Sequence, residues 1–141
     1  MLIAARALTP GRAAGPLLLL SEPLSLWGGL DLRTGAIIDR THPQCGEGIA
    51  ERIVAMRSAR GSSSSSSALV EAARAGVAPA ALILGLHDPI LTIGALVAAD
   101  LYGIEIPLIV VDERAWPALV DGVALSIETK GNQAWITVDP V

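Results

Sequence analysis

At 141 residues the chain has room for one domain whose core can stand without metals or disulfides. With 52% hydrophobic and 17% charged residues it is too apolar for disorder, and a net charge of −4 with a single lysine, Lys130, offers no basic stripe for a nucleic-acid backbone. No apolar run approaches the roughly 20 residues of a membrane span, and Cys45, the one cysteine, excludes an internal disulfide and any cysteine-only metal cluster.

These properties predict one soluble domain over residues 1–141, in the cytoplasm, with no membrane and no nucleic acid among its partners. The start, Met1 to Arg6, reads as a first strand and not as a leader. So apolar a surface also points to partial cover by a partner subunit.

Leu2 to Leu8 and Pro16 to Leu20 read as strands joined at Pro10-Gly11, and the run Leu17 to Leu20 predicts burial on both faces. Ser21 to Gly48 is a long stretch rich in turn formers in which only Ala36-Ile37-Ile38 looks like a strand. Loops of that length in a compact domain tend to be functional, so this one is a second candidate for a site wall. Ile53 to Met56 has the length and composition of a buried strand, while Ala68, Leu69, Ala72 and Ala73 make a narrow helical stripe that stops at Gly76.

The second half alternates. Ala80 to Leu84 reads as a strand, and Asp88-Pro89 opens a helix with a capping carboxylate and a proline at the first helical position. Ile90, Ile93, Gly94, Val97, Ala98 and Leu101 form the expected buried stripe of that helix, and Gly103 stops it. Pro107 to Val111, Ala124 to Glu128 and Ala134 to Val138 complete the strands, the last two joined at Lys130-Gly131-Asn132.

Between the strand at 53–56 and the following helix lies Ser58-Ala59-Arg60-Gly61 and then six serines, Ser62 to Ser67. A serine tract alone is a flexible linker. Here its flanks place it at a strand-to-helix turn inside a folded domain. A helix start carries unpaired N–H groups and partial positive charge, and a guanidinium such as Arg60 can grip the same anion. The tract is therefore either an anion cradle with a usable hydroxyl, or a capped helix start whose serines satisfy orphan amides.

Other groups carry weaker signals. His42 and Cys45 are two potential ligands without the further ones that a metal site needs, so no metal held by this chain alone is expected. His87 precedes the capping Asp88 and reads as structural or adjacent to the site. Trp27-Gly28-Gly29 either shapes a pocket or makes a turn beneath a core tryptophan, and Asp39-Arg40 is a possible ion pair at a strand end.

Taken together, Ser21 to Gly29, Thr34 to Arg40, His42-Pro43 and Arg60-Gly61-Ser62-Ser63 resemble the small, swivel-domain subunit of the aconitase X family. The order and spacing agree, and the resemblance runs on through Ala78-Pro79-Ala80 and Ile106-Pro107, over roughly residues 8 to 111. It implies an α/β fold: a swivelling three-layer β/β/α domain that closes over a large catalytic subunit. It further implies dehydration of a small hydroxy acid, either cis-3-hydroxy-L-proline or mevalonate 5-phosphate. The bias toward Ala, Arg and Gly favours the first, bacterial substrate.

The resemblance makes Ser62 the catalytic acid/base, with Arg60 and Gly61 shaping its loop and Arg60 placed to hold the substrate carboxylate; Ser63 and Ser66 of the serine run are candidate substrate contacts beside them. It assigns the iron or iron–sulfur cluster mainly to the large subunit, and carries no catalytic role onto His42 or Pro43. Two departures stand out: Arg57 and Ala59 replace a Pro-x-Gly, and an unbroken serine run replaces a varied one, which makes Ser63 to Ser66 possible substitutes for Ser62. Two other classes fit the same residues, a non-catalytic small-anion-binding module and a structural subunit whose serine loop caps a partner.

Overall fold

The computed structural model describes residues 1–139. Seven strands close into a flattened barrel in the order β1-β5-β4-β3-β2-β6-β7. They are β1 (Leu2–Thr9), β2 (Arg12–Leu19), β3 (Ile53–Met56), β4 (Ala81–Leu84), β5 (Leu108–Val110), β6 (Ala124–Lys130) and β7 (Gln133–Val138). One half, β2-β3-β4-β5, is parallel; the other, β6-β7-β1, is antiparallel and closes onto both ends of the first. Closure leaves no unpaired edge.

Two helices occupy the crossovers of the parallel half: α2 (Ser65–Arg74) between β3 and β4, and α3 (Pro89–Tyr102) between β4 and β5. A preceding single kinked turn, α1 (Leu26–Gly29), lies in the long loop after β2. The result is the expected β/β/α layering. No helix among the described residues is long and apolar enough to cross a membrane.

Burial follows strand pleating. Ile53, Ala55, Ala81, Ile83 and Ile109 point into the barrel, where they meet Ile3, Leu17, Ile127, Ile136 and Trp116. Val54, Met56, Leu82, Leu84 and Leu108 point the other way, into a second core shared with Leu69, Ala73, Leu91 and Ala98 of the helices. Two-sided burial explains why these strands read as unbroken apolar runs.

The second strand begins at Arg12, four residues before its predicted start, because its first half pairs with β6 from Arg12↔Glu128 to Pro16↔Ala124 before Leu17 to Leu19 pair with β3. That first half is only half covered, which hid it beside the leucine run. The predicted strand at Ala36 to Ile38 is not one. Leu30↔Ile37 and Ala36↔Gly48 are isolated bridges, and Ile37 and Ile38 donate to Glu47 and Gly29, so the segment is laced into its own loop.

For α3 the ends are as read and the face is not. Asp88 caps the amide of Leu91 at 3.0 Å and Gly103 stops the helix at φ +66°. The buried residues, however, are Leu91, Gly94, Ala95 and Ala98, while Ile93 and Leu101 of the predicted stripe are exposed. The physical reason is close approach: a Cβ added at Gly94 would lie 2.8 Å from the Ser66 carbonyl oxygen, so small residues face α2 and the large ones are displaced outward.

Candidate functional site

The carboxyl ends of β2, β3 and β4 lead into the long loop, the serine loop and Gly85-Leu86-His87 respectively, the rim where ligands bind in doubly wound sheets. The serine loop leaves β3 at Arg57, whose guanidinium turns back toward the barrel mouth. It pairs with Glu113 at 3.2 Å and stacks on Trp116 at 5.1 Å from the ring centroid. Arg60 is exposed and has no ion-pair partner among the described residues.

Gly61 is the pivot. Its φ of +110° is a conformation that residues with a Cβ rarely adopt, and a Cβ there would overlap Ser25 Oγ and come within 2.8 Å of Ser25 Cβ. Ser25 is itself fixed, its hydroxyl donating to the Trp27 carbonyl at 2.9 Å. The serine loop is thus pressed onto the tight Ser25–Gly29 bend, and Arg60 N–H donates to Leu24 O.

This contact presents Ser62, which is exposed. Its Oγ accepts the amide of Ser64 at 3.1 Å, and its carbonyl accepts that of Ser65. The helix proper starts at Ser65, three residues beyond Ser62. The amides of Gly61, Ser62 and Ser63 have no acceptor among the described residues and can serve an anion.

Ser63 is exposed beside Ser62, and its carbonyl accepts both the amide and the hydroxyl of Ser66, the latter at 2.9 Å. Ser66 therefore buttresses the turn and faces α3, while Arg60 to Ser63 form the accessible group. The cap consists of Ser62 on Ser64; Ser64, at the N-cap position, makes no side-chain cap.

Ser65 differs from its neighbours. It is 3% exposed and its Oγ has no hydrogen-bond partner. A buried unsatisfied hydroxyl is destabilising, so Ser65→Ala leaves the chain as stable as before or more stable by up to about 1 kcal/mol in urea unfolding.

The long loop is held by groups whose partners the sequence did not reveal. His42 Nδ1 accepts the Gln44 amide at 3.0 Å, which makes Nε2 the protonated nitrogen that donates to Glu22 O at 3.0 Å. Both ring nitrogens of this buried histidine are used, which gives it a structural role. His42→Ala lowers stability by about 2–3 kcal/mol in urea unfolding through the loss of both ring hydrogen bonds. Gln44 ties the loop to Ser21 and to the Leu19 carbonyl.

Asp39 forms no ion pair with Arg40 among the described residues. It accepts from the Thr41 hydroxyl at 2.7 Å and the Thr41 amide at 2.9 Å. Those bonds, with the positive charge of Arg60 adding to them, hold its carboxyl below its ordinary value of 3.8. A lowered folded-state pKa gives stability that is present above the unfolded value and lost as pH falls through the folded one. Asp39→Asn therefore lowers stability at neutral pH, where that contribution is present, and flattens the acid limb of the profile below about pH 4, where the native chain loses it anyway, as unfolding followed against pH would show.

Trp27 is 55% exposed at the rim, contrary to the reading of a core tryptophan; Gly28, at φ +85°, turns the chain beside it. Cys45 is exposed, and among the described residues no three His, Cys, Asp or Glu side chains gather as metal ligands. With His42 fully engaged, the residues present do not fit an iron or iron–sulfur centre held by this chain.

Known proteins resemble this chain in sequence and fold. The family model for the aconitase X swivel domain matches residues 2–138. The cis-3-hydroxy-L-proline dehydratase of Pseudomonas aeruginosa is 41% identical over 128 residues, 86% of this chain but only 22% of that protein's length. The phosphomevalonate dehydratase small subunit of Archaeoglobus fulgidus is 37% identical over 123 residues, 86% of this chain and 88% of its own. The crystal structure of Thermococcus kodakaraensis aconitase X in its holo-form superposes with a TM-score of 0.84 at 25% identity, over 97% of this chain and 98% of that one. A barrel with two crossover helices, a serine loop at its parallel rim and a match along nearly the whole sequence place the chain in the aconitase X swivel-domain family.

Proposed function

We propose that this chain is the swivel subunit of a dehydratase, working in the cytoplasm with a large catalytic subunit, and that Ser62 is its acid/base. The observation that carries the reading is the contact of Gly61 with Ser25, which holds an exposed Ser62 beside three amides and an Arg60 guanidinium that have no partner among the described residues.

A substrate carboxylate fits that environment. Arg60 and the amides of Gly61 to Ser63 bind and orient it, which brings the carbon next to the carboxylate toward Ser62. An unassisted serine hydroxyl is too weak an acid to furnish a base at neutral pH. The Ser64 amide, already bonded to Ser62 Oγ, and the charge of Arg60 both favour its alkoxide. Elimination then transfers the proton from that carbon to Ser62 Oγ, forms the carbon–carbon double bond and releases the adjacent hydroxyl. Departure of the hydroxide is served from outside this chain, and an iron centre for the reaction belongs to the large subunit.

The identity to the Pseudomonas dehydratase favours cis-3-hydroxy-L-proline, whose enamine product tautomerises to a cyclic imine carboxylate. The near-complete coverage of the Archaeoglobus small subunit favours mevalonate 5-phosphate as the second reading. Both substrates are to be offered to the chain alone and to the chain co-expressed with a large subunit of the aconitase X type. Turnover of the hydroxyproline by the complex alone is expected; turnover of mevalonate 5-phosphate instead replaces the substrate, and an assembled, iron-loaded complex inert toward both rejects the dehydratase reading.

A further inference from the structure

Helix α3 is apolar on both sides, and its own domain covers only one. Leu91, Gly94, Ala95 and Ala98 are buried, while Ile93 and Leu96 stand 56% and 48% exposed on the opposite side, and Leu101, two turns on from Ile93 along the flank, is 60% exposed. No charged residue occurs from Pro89 to Ala99, and the one charge of the helix, Asp100, is exposed in its last turn. A helix that is apolar all round over its first three turns belongs there inside an assembly. At the amino-terminal end of the exposed stripe, a cleft of about 230 Å³ opens between α2 and α3, with Ser66, Ser67 and Val70 on one wall and Ile93 and Val97 on the other.

We propose that this outer face of α3 is a docking surface, and that its occupant is the large subunit that completes the dehydratase. The inference rests on the function proposed above. It is specific about the occupant because the cleft and the serine loop are continuous: Ser66 and Ser67 line the cleft, and Ser66 bonds to Ser63 beside Ser62. A chain that completes a site around Ser62 arrives against the head of this stripe, and a second copy seated there would obstruct it. In the Pseudomonas relative the matching sequence is joined to a far larger remainder, and this chain spans 22% of the whole.

The test uses the full chain with its co-expressed large subunit. Ile93→Glu and Leu101→Glu, singly and together, alter exposed positions, and unchanged circular dichroism and melting of the variants establish that they fold. Titration of the large subunit is expected to show roughly a hundredfold weaker association for the double variant, in keeping with the loss of two interface anchors. Its turnover should return to the wild-type value at saturating large subunit, and Ser62→Ala should associate normally. Unchanged affinity in the double variant overturns the docking surface, as does self-association of the chain that the substitutions abolish while affinity for the large subunit persists. Full activity of Ser62→Ala alongside dissociation of the α3 variants removes the serine assignment and upholds the docking surface. Failure of the wild-type chain to bind the large subunit removes both.

Discussion

On the function proposed above, Ser62→Ala is expected to lower turnover of the assembled complex by roughly 10²–10⁴-fold, the usual loss when a positioned acid/base is removed. Its structural cost is small. Ser62 is exposed and makes one side-chain bond, as acceptor from the Ser64 amide, so stability falls by at most about 1 kcal/mol. The measurement is kcat and KM on the purified complex, with subunit association followed in parallel. A fall in kcat at unchanged KM and unchanged association supports proton transfer by this hydroxyl. Ser63→Ala, one residue on and also exposed, serves as the control within the tract: a larger loss there than at Ser62 moves the role to Ser63. A non-catalytic anion-binding module would lose anion affinity in either variant without any turnover to lose, and a structural subunit would lose neither.

Much of this site could be read along the sequence because its parts are adjacent. A four-residue apolar run, Arg60-Gly61 and an alanine-rich helical stripe locate a strand, a turn and a helix in order, and all three are where they were expected. Asp88-Pro89 and Gly103 defined α3 for the same reason: caps are local chemistry. The buried face of α3 was not legible, since apolar residues on every side give periodicity nothing to distinguish. The decision falls to Gly94 against Ser66, a contact between different elements. Ser25 was missed as a site residue on similar grounds. It lies 36 positions before Gly61, and nothing in its neighbourhood marks it as the surface on which the loop rests. His42 and Gln44 show the same limit, because their bonds to Glu22, Ser21 and Leu19 depend on how the long loop folds back. The high apolar content pointed to surface for a partner to cover, and exposed apolar side chains do occur, on the outer face of α3 and also at Met1, Leu2, Leu86 and Val120.

On the same proposed function, Gly61→Ala is expected to disable the assembled complex and to destabilise the isolated chain, and the two effects share one origin. At φ +110° any side chain is strained, by about 1–3 kcal/mol, and the new Cβ also overlaps Ser25 Oγ. The collision is with a short side chain fixed by its bond to Trp27 O, so the glycine loop has to move instead. That displaces Ser62, the next residue, and a misplacement of about 1 Å costs on the order of 10²-fold in rate. Ser25→Gly in the same chain removes both colliding atoms and leaves only Ser25 Cα, 3.7 Å from the added Cβ. The double variant is therefore expected to recover part of the activity and part of the stability while retaining the strain of the dihedral angle itself. A double-mutant cycle, with kcat from the complex and unfolding free energy from the chain, measures the coupling. Coupling in both quantities establishes that the Ser25 contact aims Ser62. Additivity in both would mean that the loop is positioned by other contacts, and the Gly61 requirement would then be one of backbone conformation alone.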